Sequence, residues 1–155
     1  MVSNIFKQSV IVLAMTLSMC LVAIGQGNKV VAKTATEDLT AVKSSPAYAE
    51  LQLKRTELLS DLESLLLEYT EEFPKIKEIR NTITLLDRDI ARISKVKPSE
   101  STKLTLALGK LMVTRIELEN DLWKLQKSYQ DGHPEVKRAK KRVEVYETTI
   151  SDILN

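Results

Sequence analysis

Residues 51–93 read LQLKRTELLSDLESLLLEYTEEFPKIKEIRNTITLLDRDIARI, and residues 111–153 read LMVTRIELENDLWKLQKSYQDGHPEVKRAKKRVEVYETTISDI. Aligned without a gap at a constant offset of 60, Leu51, Arg55, Glu57, Leu58, Asp61, Leu62, Leu65, Tyr69, Pro74, Lys77, Ile90 and Ile93 recur as Leu111, Arg115, Glu117, Leu118, Asp121, Leu122, Leu125, Tyr129, Pro134, Lys137, Ile150 and Ile153. One supersecondary unit is therefore written twice. Within the first copy the spacing alternates between three and four through Tyr48, Leu51, Arg55, Leu58, Leu62, Leu65 and Tyr69, and resumes after the proline through Ile76, Ile79, Ile83, Leu86, Ile90 and Ile93. The second copy keeps this register from Leu104 to Tyr129 and from Val136 to Ile153. Such alternation is the narrow buried seam of a left-handed coiled coil, and its interruptions divide the chain into helices.

The interruptions have a chemical cause. Proline lacks an N–H and pushes its predecessor out of the α region, yet it suits the first position of a new helix. Pro74 and Pro134 are expected to start the second helix of each copy, after short turns at residues 70–73 and 130–133 that make the flanking helices antiparallel neighbours. Gly132 is expected to supply a left-handed cap, Ser45 to cap the first helix and Ser99 the third. The fold class that follows is all-α: two tandem antiparallel helical hairpins, over residues 44–96 and 99–155, packed as a coiled coil or an elongated four-helix bundle. At 1.5 Å per residue such a body is about 30 to 45 Å long.

Composition agrees with long amphipathic helices rather than a β-sandwich, because only 4 Gly and 4 Pro are present to make turns while 28% of residues are charged. A net charge of +2 gives no overall field for nucleic acid, and the basic cluster at residues 137–142 reads as a solvated face. Residues 1–25 form an address: Lys7 precedes an uncharged apolar run, and Ala23 and Gly25 fit a signal-peptidase site. Residues 26–43 then form a flexible tail, and the chain is expected to be exported to a periplasmic or extracellular location. The alternative is an uncleaved segment anchored in the inner membrane, the only membrane contact expected. A lipoprotein reading at Cys20 is disfavoured by the bulky Met19 before it. Cys20 is the sole cysteine, so cleavage would leave no disulfide to support the fold.

Arg55 and Arg115 stand in the apolar seam at equivalent positions. Counting back from each turn places Arg55 opposite Asp87 or Asp89 and Arg115 opposite Glu147, as ion pairs that set register. Tyr69, Phe73 and Pro74 form one hairpin turn, and Tyr129, His133 and Pro134 the other. A metal site from Asp131, His133 and Glu135 is disfavoured because the first copy has Glu71, Phe73 and Lys75 there. His133 is expected to pack on Tyr129 or cap the last helix. Trp123 falls one position past the seam, at an edge or an interface. The sequence shows no glycine-rich phosphate loop, nucleophile elbow or second histidine, so no catalytic residue, cofactor or metal is expected and the chain reads as non-enzymatic.

The strings LLLEYTEEFPKIKEI and LQKSYQDGHPEVKRA resemble a turn in the extracytoplasmic coiled coils of Wzz-type polysaccharide chain-length determinant proteins. The resemblance covers both hairpins. It implies a detached hairpin module beside envelope polysaccharide machinery. Regulation of polymer length does not carry over, because the second transmembrane segment and α/β base of a full co-polymerase lie outside this sequence. Two functions fit these features. The first is a structural or adaptor protein of the cell envelope that binds a protein partner or itself through leftover apolar surface, with Leu53, Leu59, Leu66 and Leu67 lying off the main stripe. The second is a periplasmic chaperone holding unfolded clients between its helices.

Overall fold

A computed structural model of the chain describes residues 40–155; the segment read as a signal and most of the tail lie outside the described residues. Four α-helices carry the fold: α1 (Pro46–Leu66), α2 (Pro74–Ile93), α3 (Leu106–Ser128) and α4 (Pro134–Leu154), with a 3-10 segment, Pro98–Lys103, joining the second to the third. Their lengths of 20 to 23 residues make each about 30 to 35 Å long.

The starts follow from local chemistry. Proline opens α1, α2 and α4, where its missing N–H costs no intrahelical bond. The Ser45 hydroxyl accepts from Tyr48 N–H at 3.3 Å and caps α1. At the third helix the expected cap at Ser99 is not used. Pro98 instead begins a 3-10 turn that absorbs Ser99, and Thr105 caps α3 by accepting from Leu108 N–H at 3.2 Å. Residues 40–43, read as tail, are helical, and Val42 is buried because it completes the apolar cluster where the hairpins meet.

The two turns are built alike. Tyr69 N–H donates to the Leu65 carbonyl and Phe73 N–H to Thr70; Tyr129 N–H donates to Leu125 and His133 N–H to Gln130. Each turn stacks its first ring on its last, Tyr69 on Phe73 with centroids 4.2 Å apart and Tyr129 on His133 at 4.1 Å. Gly132 does not adopt the left-handed conformation expected of it, because α3 ends on an extended Tyr129, and a Cβ at Gly132 would meet open space. Gly132→Ala is therefore expected to leave the thermal midpoint unchanged or raise it slightly, within about 0.5 kcal/mol, in a melt followed by circular dichroism.

Helices α1 and α3 run parallel side by side, and α2 descends antiparallel against both. The α4 helix packs on α3, with no extensive contact to α1. Two hairpins are thus stacked in an open layer rather than closed into a symmetric bundle. Both turns lie at one end, here termed the tip. At the opposite end, the base, one shared core joins the hairpins through Leu51, Leu86, Ile93, Leu108, Met112, Ile116 and Ile150. The Ala47 N–H, one of the free donors of the first turn of α1, donates to the Leu104 carbonyl at 3.2 Å and ties the hairpins there. Toward the tip the first hairpin has a separate core of Leu62, Ile76, Ile79 and Ile83, against which Leu59 and Leu66 pack.

Candidate functional site

The first hairpin places Arg55 Nε 2.6 Å from Asp87 on a partly exposed edge. The equivalent pair in the second hairpin, Arg115 and Glu147, lies at the same offset, with Nε 3.4 Å from the carboxylate and no hydrogen bond. Arg115 directs its other nitrogens elsewhere: Nη2 donates to Asp89 at 2.7 Å, and Nη1 donates to Glu119 one turn along its own helix. Counting within a hairpin finds Asp87 and Glu147. It cannot find Asp89 as the partner of Arg115, because that carboxylate comes from the other hairpin.

Arg115 therefore sits where α2, α3 and α4 converge. Arg88 forks onto Glu119 with its nearer contact at 2.8 Å, and Arg92 reaches Glu147 at 2.7 Å and Ser151 at 3.0 Å. These side chains line a cleft of about 420 Å³ between the three helices. Three guanidinium groups face three carboxylates, so the local charge is balanced, and the side chains of Arg115 and Asp89 are almost wholly withdrawn from water. Burial pushes the Asp89 carboxyl above its ordinary range, against the opposing pull of the Arg115 guanidinium. Such a network fixes geometry more than it adds stability, because the desolvation of each charge offsets most of the attraction.

Above this node the hairpins meet through polar groups. Asn81 donates to Asn120 at 3.3 Å, Asn120 donates to Glu78 at 3.1 Å, and Lys124 reaches the same carboxylate at 3.1 Å. On the other side of α3, Lys54 reaches Glu117 at 3.1 Å. Burial alone would raise the Glu78 carboxyl; hydrogen bonds from Lys124, Lys75 and Asn120 outweigh it and hold the group below its usual range. A carboxyl whose pKa is depressed on folding stabilises the fold above its unfolded pKa and loses that contribution as pH falls through the folded one. Glu78→Gln is therefore expected to flatten the acid side of the stability profile, measured by urea melts below the ordinary carboxylate pKa.

Among the described residues no group of His, Cys, Asp and Glu is arranged to hold a metal ion. His133 Nδ1 is engaged, accepting from Glu135 N–H at 3.3 Å as the cap of α4 while its ring lies on Tyr129. Trp123 is half-buried, with the Lys127 ammonium 3.2 Å from its ring centroid. No described helix is long and apolar enough to cross a membrane.

The outer faces are electrically unlike. The exposed charged residues of α1 are Glu57, Asp61 and Glu63, with Glu68 just past its end, and none of them makes an ion pair among the described residues. On α4, Lys137, Arg138, Lys140, Lys141 and Arg142 are all exposed; Arg138 and Lys141 pair with Glu135 and Glu144 on their own helix and Lys140 with Asp131 in the turn. Of the leucines lying off the seam, Leu53 and Leu67 remain 58% and 86% exposed on the acidic face, and Val145 remains 53% exposed on the basic helix. No family model, no curated protein and no solved structure matches this chain.

Proposed function

We propose that this chain is a non-enzymatic helical module of the cell envelope that works by binding protein along its helix faces. The observation that carries the reading is the set of large apolar side chains the folded chain leaves in water: Leu53 on α1, Leu67 just past its end, Leu106 on α3 and Val145 on α4. Covering such side chains gains about 25 cal/mol for each Å² of apolar surface removed from water. The uncharged apolar run after Lys7 supports export, and the resemblance of the two turn strings to chain-length determinants supports a place beside polysaccharide machinery. Crosslinking in the native cells, followed by mass spectrometry of what the chain captures, tests the reading. A few reproducible envelope partners, or the chain itself, are expected; a broad set of unfolded exported proteins would sink it.

A second reading, a chaperone for unfolded exported chains, is favoured by the polar seam between the tips. Glu78, Asn81, Asn120 and Lys124 can exchange one another for water at small net cost, so the hairpins could part there without disturbing the base core. Suppression of the aggregation of a denatured client at stoichiometric amounts would support it, and no suppression would remove it.

A further inference from the structure

The internal repeat relates the two hairpins by a stacking step, and that step leaves one face of each hairpin outward. In the junction inside the molecule, α1 and α2 of the first hairpin both lie against α3 of the second, with Glu78 beside Lys124 and Asn81 beside Asn120 on the α2 side and Lys54 beside Glu117 on the α1 side. Adding 60 to the residues of α1 and α2 and subtracting 60 from those of α3 gives the same step taken once more, with α3 and α4 of one molecule against the α1 of another. Arg138 then stands at the level of Ser64, and Lys141 at the level of Ser60. Asp61 lies between those two serines in the sequence, with Glu57 one turn before it on the exposed face and Glu68 two turns after it, just past the end of α1. The basic half of α4 and the acidic half of α1 both lie toward the tip, so the repeated step brings opposite charges together at one height.

The apolar residues follow the same relation. Leu85 and Val113 are partly buried against the shared core at the internal junction. Their repeat equivalents are Val145 and Leu53, which are the large apolar residues left in water on α4 and near the middle of α1. Other substitutions weaken the outer step: Gln52 stands for Met112, Thr56 for Ile116, and Ala49 for Gly109, whose position tolerates no Cβ at the internal distance. An outer junction is therefore wider and wetter than the inner one, and charge carries more of it.

We propose that a second copy of this chain docks its acidic α1 face on the basic α4 face of the first, repeating the internal hairpin step. This names the partner within the protein-binding reading above and rests on it. Because the two faces differ, the contact is heterologous, and copies add head to tail. Exposed charges are screened within about 8 Å at physiological salt, so the association weakens as salt is added.

Sedimentation velocity of the full chain, as processed and purified from its native cells, tests this across protein concentration at low and high salt. Larger species are expected to grow with concentration at low salt and to be lost at high salt. Lys137→Glu with Lys141→Glu, on α4, and Glu57→Lys with Asp61→Lys, on α1, are each expected to leave only monomer, with the circular dichroism spectrum unchanged. Mixing the two variants restores the larger species, since each then offers the charge the other needs. A monomer under all conditions, or association indifferent to both reversals, overturns the proposal. So does a monomer that binds vesicles containing anionic lipid through the α4 lysines. Capture of another envelope protein by a chain that never captures itself defeats this proposal and leaves the adaptor reading standing, whereas capture of unfolded clients defeats both.

Discussion

Arg115→Met is expected to lower the stability of the fold by about 3 to 5 kcal/mol, against at most about 1 kcal/mol for Arg55→Met at the equivalent place in the first hairpin. The two arginines occupy the same repeat position and differ in burial. Arg55 meets Asp87 at a partly exposed edge, where water replaces a lost partner. Arg115 is withdrawn from water, and its removal strands Asp89, which is buried too and loses its 2.7 Å partner. Arg88, with Nε 3.9 Å from Asp89, and the more distant Arg92 still act on that carboxylate but cannot supply the lost geometry.

The sign of the pH response separates this account from a simple loss of packing. In the native protein burial already pushes Asp89 upward. Without Arg115 the protonated form is favoured further in the folded state. A carboxyl raised on folding contributes stability that is present below its unfolded pKa and lost as pH rises through its folded one. The deficit of Arg115→Met is therefore expected to shrink on acidification, and the double variant Arg115→Met with Asp89→Leu to recover most of the loss at neutral pH. Urea melts across pH check both, and a deficit independent of pH would show that Asp89 is not the stranded group.

Gly109→Ala is expected to destabilise by about 1 to 3 kcal/mol, even though alanine favours a helix interior over glycine by about 1 kcal/mol. A Cβ at Gly109 would meet Ala47 Cα and Glu50 Cβ at 2.9 Å each, and the Ala47 carbonyl oxygen at 3.2 Å. All three of those atoms are backbone or fixed to it, so relief requires α1 to move away from α3. That movement also pulls at the Ala47 to Leu104 hydrogen bond and at the shared core around Leu51 and Leu108. Gly109→Val is expected to cost more, because a branched side chain enters the same space. A rise in stability for Gly109→Ala, as expected for the open site at Gly132, would mean that the helices do not cross there.

Much of this architecture was legible along the chain because it is governed by local rules. Pro74 and Pro134 start helices for reasons internal to proline, and the alternate spacing of three and four announces which side chains must be covered. The pairing of Arg55 with Asp87 follows from counting out from a short turn, since an antiparallel hairpin fixes register by itself. The packing of His133 on Tyr129 was expected from the sequence, and the structure adds the matching stack of Tyr69 on Phe73.

The way one hairpin seats on the other was not legible, because no short loop ties those residues in register. Thr105 rather than Ser99 caps α3, since the 3-10 segment takes up the chain that spans the base. The role of Gly109 shows only once Ala47 is found against it. Asp89 is one candidate among neighbouring carboxylates until α2 is laid on α3 and Arg115 turns toward it. The repeat determined two equivalent hairpins, each with a seam and an arginine. Only tertiary packing made them unequal: stacking one on the other buries the inner arginine and leaves the outer one wet, and burial decides what a charge costs.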